Sequence, residues 1–66
     1  MANLSDFGKS IKIRLIEMNK TQRWLIGEVK NMTGLYFDDG YLYKVLTGRY
    51  ENAQICEAIK TILEIT

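Results

Sequence analysis

Apolar residues recur every three or four positions through the first eighteen residues of the chain, which is the spacing of one buried face of an α-helix. The stripe consists of Leu4, Phe7, Ile11, Leu15 and Met18. We predict a helix that begins near Asn3 or Ser5, because both residue types cap helix N-termini. Ile13 and Ile16 lie on the opposite side, either as single exposed residues or as part of a contact surface.

The next segment repeats the helical spacing after a short turn at residues 19–20. Its inner face consists of Leu25, Ile26, Val29 and Met32. Thr21 is a good N-cap, and Gly34 is placed to end the helix in the left-handed conformation that favours glycine. The apolar residues 35–37 that follow are predicted to fold back onto the core.

Two further helices complete the pattern. Residues 39–47 predict a short third helix with Leu42, Val45 and Leu46 on its buried side. A fourth helix begins after Asn52, and its apolar arc covers about half of its circumference. The arc consists of Ile55, Cys56, Ala58, Ile59, Ile62, Leu63 and Ile65. No segment alternates with the period of a strand, so the chain predicts one compact all-α domain of four helices, residues 1–66.

The composition removes most classes of enzyme and metal site. Histidine is absent and Cys56 is the only cysteine, so a zinc site lacks its ligands and an internal disulfide is impossible. The adjacent carboxylates Asp38 and Asp39 stand where a helix begins, and capping explains them better than acid–base chemistry. We therefore expect no enzyme activity, metal, cofactor or small-molecule ligand. The chain shows neither a signal-peptide pattern nor a long apolar run, so we expect a cytoplasmic protein without a membrane segment.

The third helix carries a mixed set of groups on the side opposite its aliphatic residues. It presents Gly40, Lys44 and Thr47, with Tyr41 and Tyr43 at its edges and with Gly48 and Arg49 directly after its end. Small, basic, hydroxyl and aromatic groups on an exposed helix suit the major groove of DNA. An alternative role for Tyr41 and Tyr43 is packing at the edge of the core. For Tyr36, Phe37 and Tyr50, packing is the favoured role.

The charge of the chain is only weakly polarised. The net charge is +1, which is low for a nucleic-acid-binding domain. Residues 20–50 carry five basic and three acidic side chains, whereas residues 51–66 carry one basic and three acidic side chains. The third helix therefore lies in the more basic part of the chain.

The order of these features resembles the phage repressor and Cro-like (XRE, lambda-repressor-like) helix-turn-helix family. The resemblance rests on Thr21-Gln22 at the start of the second helix and on the run Tyr-Leu-Tyr-Lys-Val-Leu-Thr-Gly-Arg at 41–49, and it covers about residues 7–64. The chain differs from the family in a longer, extended connection before the third helix. It also carries Lys20 where the family commonly has an apolar residue.

The resemblance implies a small helical domain that inserts its third helix into the major groove, usually as a dimer on a two-fold site. It implies a DNA-binding set of Thr21, Gln22, Arg23, Asp39, Gly40, Tyr41, Tyr43, Lys44, Thr47 and Arg49. Within this set, residues around Asp39 and Lys44 would face base edges. Arg49 and the start of the second helix would hold phosphates, which fixes the register of the complex.

We therefore expect a sequence-specific transcriptional regulator of phage or mobile-element type that binds double-stranded DNA. The wide apolar arc of the fourth helix favours a symmetric homodimer through Ile62, Leu63 and Ile65. The competing interpretation is a protein-interaction module on the same fold, which modulates a repressor or inhibits a host protein without reading DNA. The near-neutral charge and the acidic pair Asp38 and Asp39 favour that alternative.

Overall fold

The computed structural model describes residues 3–50 and 52–65, and Met1, Ala2, Glu51 and Thr66 lie outside the described residues. Four α-helices follow one another along the chain: α1 (Asp6–Met18), α2 (Gln22–Thr33), α3 (Asp39–Leu46) and α4 (Ala53–Leu63). The described part of the chain contains no strand. The prediction of a compact all-α domain with four helices is confirmed.

Each helix begins at a side chain that accepts a hydrogen bond from a backbone N–H group of the first turn. The N-caps are Ser5, Thr21, Asp38 and Asn52, and each side chain accepts a hydrogen bond from the backbone N–H three residues on. These bonds satisfy N–H groups that the first turn of a helix leaves free. The predicted caps at Ser5, Thr21 and Asn52 are confirmed, and Gly34 ends α2 with φ at 69°.

The core fills the space between the inner faces of the four helices. The buried hydrophobic side chains are Ile11, Leu15, Leu25, Val29, Phe37, Leu42, Val45, Leu46, Ile55, Ala58, Ile59 and Leu63. α2 packs mainly against α4, while α1 packs against both α3 and α4. α3 thus packs mainly against α1, with further contacts to α2.

A charged side chain ties α1 to the end of α4. Arg14 Nε donates to the carbonyl oxygen of Leu63 at 2.7 Å, and Arg14 Nη2 lies 3.8 Å from the Glu64 carboxylate. The last carbonyls of a helix carry partial negative charge and lack intrahelical partners, so a guanidinium is favourable there. This contact fixes the C-terminal end of α4 against the middle of α1.

The connector between α2 and α3, residues 34–38, folds back onto the core through a single side chain. Phe37 is fully buried, as predicted. The predicted packing of Tyr36 is wrong, since its side chain is 73% exposed and its hydroxyl donates to the Asp38 carboxylate at the surface. Leu35 is also exposed. One buried ring is enough to hold a connector of this length, and its neighbours are left on the outside.

Two predictions about helix faces are also wrong. Met32 is 53% exposed instead of buried, because the facing part of α4 carries small and polar residues and leaves an open groove there. Leu63 has no exposed surface, so it belongs to the core and cannot contact a second subunit. By contrast, Ile13 and Ile16 are exposed on α1, in agreement with the sequence pattern.

Candidate nucleic-acid interface

α3 turns one side to the core and the other to solvent. Leu42, Val45 and Leu46 are buried as predicted. The exposed residues on the helix are Asp39, Gly40, Tyr43 and Lys44. The Lys44 side chain is therefore neither turned inward nor covered by the connector. Tyr43 is 51% exposed and, unlike Tyr41, does not pack against the core cluster, which counts against the alternative that it packs at the edge of the core.

A carboxylate on the surface organises the start of α3. Asp38 Oδ1 accepts a hydrogen bond from the backbone N–H of Tyr41 at 2.8 Å, and Asp38 Oδ2 accepts one from the Tyr36 hydroxyl. The Tyr36 hydroxyl, followed by the Tyr41 N–H, lowers the pKa of Asp38 below its ordinary value. The same bond raises the pKa of Tyr36. Asp38 is thus a negatively charged N-cap, a position where the helix dipole favours an anion.

Tyr41 is held in an aromatic cluster at the edge of the core. Its ring centroid lies 5.0 Å from that of Phe37 and 4.9 Å from that of Tyr50, in the tilted and edge-on arrangements that aromatic pairs prefer. The Tyr50 side chain and then burial raise the pKa of Tyr41 to about 12. Tyr50 is itself 44% exposed, so the packing predicted for it is only partial and includes this contact with Tyr41.

The end of α3 is fastened to the start of α1. The backbone N–H of Ser5 donates to the carbonyl oxygen of Leu46 at 2.9 Å, and Ser5 Oγ donates to the same oxygen at 3.1 Å. Gly48 then turns the chain with φ at 75°, in the left-handed region that favours glycine. A side chain at position 48 would also meet Ser5 Cβ at 3.3 Å.

The closest approach between the two helices is at Gly8. A Cβ atom at this position would lie 2.0 Å from the carbonyl oxygen of Leu46, so only glycine fits. Sequence reasoning did not identify this residue, and it placed Ser5 at the start of α1 and Leu46 in α3 without pairing them. A glycine inside a helical pattern was the only signal, and it does not decide the matter, because Gly27 in α2 has the same pattern and no neighbour within 4 Å. The partner across the contact could not be inferred from the chain order.

A surface depression of about 300 Å³ lies beside the exposed side of α3. It is lined by Tyr36, Asp38, Gly40, Tyr41, Lys44 and Tyr50. A Cβ atom at Gly40 would meet only Asp38 Oδ1, at 3.6 Å, so the depression has room beside Gly40 for a further group. Asp38 supplies negative charge to one part of the lining and Lys44 supplies positive charge to another.

Thr47 and Arg49 follow the exposed side of α3 at its C-terminal end. Thr47 Oγ1 donates to the carbonyl oxygen of Tyr43 at 2.9 Å, so the hydroxyl proton is used within the helix. Arg49 is exposed, and its backbone N–H donates to the carbonyl oxygen of Lys44 at 2.9 Å. The C-terminal end of this side is therefore basic, whereas its start at Asp38 and Asp39 is acidic.

The remaining predicted site residues lie at the start of α2. Thr21, Gln22 and Arg23 are all exposed, and Thr21 Oγ1 accepts a hydrogen bond from the Trp24 N–H at 3.0 Å. Gln22 lines a second depression, of about 200 Å³, together with Lys12, Leu15, Ile16 and Lys20. The predicted site residues thus divide into a group on and after α3, of which Gly40, Tyr41 and Lys44 line the first depression, and a group at the start of α2, of which Gln22 lines the second.

Comparison of the chain with known protein families, with curated protein sequences and with solved structures finds no match. Within residues 3–50 and 52–65, no helix combines the length and the apolar character that crossing a membrane requires. The same residues form no group of three or more histidine, cysteine, aspartate or glutamate side chains that could hold a metal ion. The two exposed groups, on α3 and at the start of α2, are the candidate nucleic-acid contacts.

Proposed function

We propose that the protein is a sequence-specific DNA-binding transcriptional regulator of phage or mobile-element type that reads the major groove with α3. The observation that carries the proposal is the exposed side of this helix, where Gly40 and Lys44 lie one turn apart. The opposite side is buried and the C-terminal end is fixed to α1. The major groove of B-DNA admits one α-helix, and specific reading requires that the helix be held rigidly. The resemblance to the phage repressor and Cro-like family supports the same role.

Individual side chains on α3 have distinct roles in this proposal. Lys44 donates to O6 or N7 of a guanine, and Asp39 accepts from the amino group of a cytosine. Gly40 allows the helix to approach the base edges closely, and Tyr43 reaches them from the rim. Arg49, directly after the helix, binds a phosphate and fixes the register.

The start of α2 provides the second contact with the DNA backbone. Thr21 and Gln22 stand at a helix N-terminus, where free N–H groups and the helix dipole favour a phosphate. Arg23 is exposed next to them and adds a positive charge. In the family that the chain resembles, the first helix of the motif crosses the backbone in this way while the second enters the groove.

A homodimer on a two-fold DNA site is part of the proposal, with a corrected interface. Leu63 is buried in the core, so the contact surface consists of the partly exposed Ile62 and Ile65 at the end of α4. Sedimentation at micromolar concentration tests this directly. We expect a dimer for the unchanged protein and a monomer for Ile65→Asp. A monomer in both samples contradicts the proposed interface.

The experiment that tests DNA reading is the selection of bound sites from a random pool of duplex DNA, followed by a salt titration on the recovered site. If the proposal is correct, the selection recovers one sequence, which is palindromic if the protein binds as a dimer. The affinity of the protein for that sequence then falls steeply as the salt concentration rises, because binding to phosphates releases counterions. No retention of DNA even at low salt contradicts the proposal.

The alternative is a protein-interaction module that modulates a repressor or inhibits a host protein. Two observations favour it: the acidic residues Asp38 and Asp39 at the start of the exposed side of α3, and the apolar side chains of Ile13 and Ile16 on α1, of which Ile16 is 78% exposed. The salt titration separates the two functions. An interaction module shows no binding to DNA at any salt concentration, while Ile16→Asp would weaken its contact with a protein partner.

A further inference from the structure

Tyr36 is the most exposed aromatic residue that the structure describes, and yet its ring is held in place. Its neighbour Phe37 is buried in the core, and its hydroxyl donates to Asp38, the N-cap of α3. The ring therefore stands beside the exposed side of α3 and forms part of the depression with Gly40 and Lys44. This arrangement brings a residue of the connector to the surface that we propose enters the major groove.

The polar groups in this part of the depression are already engaged. Asp38 accepts hydrogen bonds from Tyr36 and Tyr41 through its two oxygens, and the single hydroxyl proton of Tyr36 is used in one of them. Asp38 is ionised at neutral pH, and these hydrogen bonds lower its pKa further, so its carboxylate repels phosphate. What remains for a ligand is the ring surface, the bare backbone at Gly40 and the ammonium group of Lys44.

Thymine is the base whose major-groove edge matches the ring surface and the bare backbone. Its C5-methyl group is the only apolar group that a base presents in the major groove. Lys44, which is proposed to donate to a guanine, then contacts a different base. Building on the DNA reading proposed for α3, we infer that the depression between Tyr36, Gly40 and Lys44 receives the methyl group of a thymine in the bound site. Tyr36 is then the residue that selects thymine at that position.

Replacement of thymine by deoxyuridine tests this inference, because it removes the methyl group alone. Each thymine of the selected site is replaced in turn, and the affinity is measured by fluorescence anisotropy. At one position in each half-site we expect binding to weaken about fourfold, the equivalent of one buried methyl group. For Tyr36→Ala, the thymine and deoxyuridine duplexes should bind equally well at that position.

Matched variants separate the ring from its surroundings. Tyr36→Phe keeps the ring and should keep the preference for thymine, as should Leu35→Ala, which changes an exposed neighbour that does not line the depression. Gly40→Ala places a methyl group in the depression, where its closest contact is an ordinary 3.6 Å to Asp38 Oδ1, so the variant should stay folded. It should abolish the preference for thymine over deoxyuridine.

Three outcomes overturn the inference. The first is a selected site in which no thymine is sensitive to loss of its methyl group. The second is an unchanged ratio between thymine and deoxyuridine in both Tyr36→Ala and Gly40→Ala. The third is the absence of any bound site in the random pool, and only this result overturns the proposed DNA reading together with the inference.

Discussion

The two ends of α3 are held by different kinds of contact. At the C-terminal end, the Leu46 carbonyl lies against Gly8 and Ser5 at distances that leave no room for a methyl group. At the N-terminal end, the Asp38 carboxylate and the Tyr36 side chain meet at the surface, beside a depression with free space. Packing therefore fixes the position of the helix at one end, and the other end is free to carry polar groups. Substitutions at the first end should act on stability, and those along the exposed side should act on recognition.

The largest effect is expected from Gly8→Ala. Its Cβ atom would overlap the Leu46 carbonyl oxygen, and because backbone atoms cannot move aside cheaply, α1 and α3 must separate. We expect the free energy of unfolding to fall by about 3 kcal/mol or more, which is a large part of the stability of a domain this small. Urea denaturation followed by circular dichroism measures the change.

Gly27→Ala is the matched control for this prediction. Gly27 also lies inside a helix, but a Cβ atom there would have no neighbour within 4 Å. Alanine should stabilise α2 by up to about 1 kcal/mol, because it has the higher helix propensity. Similar losses in the two variants would show that helix propensity, and not the contact with Leu46, governs position 8.

The next largest effect is expected on DNA binding, from substitutions on and directly after the exposed side of α3. Lys44→Ala should weaken binding to the selected DNA site by about 1–3 kcal/mol and have less effect on unrelated sequences, since Lys44 is proposed to contact a base. Arg49→Ala should weaken binding to all sequences and lower the slope of the salt dependence by about 1. Equal losses on every sequence for Lys44→Ala would contradict its role in base reading. Both side chains are exposed, so neither variant should unfold.

A smaller loss of stability is expected from Ser5→Ala. Ser5 Oγ accepts from the Gly8 N–H and donates to the Leu46 carbonyl, so its loss removes both a helix cap and one bond to α3. The backbone bond from Ser5 to Leu46 remains, and we expect a loss of about 1–2 kcal/mol. Thr21→Ala removes a cap alone and should cost less. If Ser5→Ala and Thr21→Ala lower the free energy of unfolding equally, the side-chain hydrogen bond from Ser5 to Leu46 contributes nothing to stability.

The difference between the two ends also explains what the sequence could predict. Helix starts at Ser5, Thr21 and Asn52 could be predicted because a cap involves residues close together in the chain. The exposed side of α3 followed from the helical period once Leu42, Val45 and Leu46 were placed inside. The contact of Ser5 with Leu46 joins residues 41 positions apart, and nothing in a single sequence pairs them.

Met32, Tyr36 and Leu63 differ from their predicted positions for a related reason. Periodicity shows which side of a helix is apolar, but not what the neighbouring helix offers opposite each position. Met32 is therefore exposed where α4 supplies small and polar residues, and Leu63 is buried where it was predicted to meet a second subunit. Phe37 is the only buried side chain of the connector, and Tyr36 is exposed at the surface, where its hydroxyl donates to Asp38.

The smallest effect is expected from titration at the N-terminal end of α3. The Tyr36 hydroxyl and then the Tyr41 N–H hold the pKa of Asp38 below its ordinary value of 3.8. A carboxyl group with a lowered pKa in the folded state contributes stability that is present above that ordinary value and is lost as the pH falls through the folded value. The acid limb of the stability curve should therefore contain a contribution from Asp38 that begins below about pH 4.

Asp38→Asn isolates this contribution, because asparagine caps a helix equally well but does not titrate. Urea midpoints measured between neutral and acid pH should fall less steeply for Asp38→Asn than for the unchanged protein. Tyr36→Phe should lie between them because it removes the largest cause of the shift in the pKa of Asp38.

Tyr36 affects the alkaline limb of the stability curve. Its raised pKa contributes stability that is present below 10.0 and lost at higher pH, and this loss should vanish in Tyr36→Phe. Identical curves for all three proteins would mean that the surface contact does not stabilise the start of α3, which would leave the connector ring free to move.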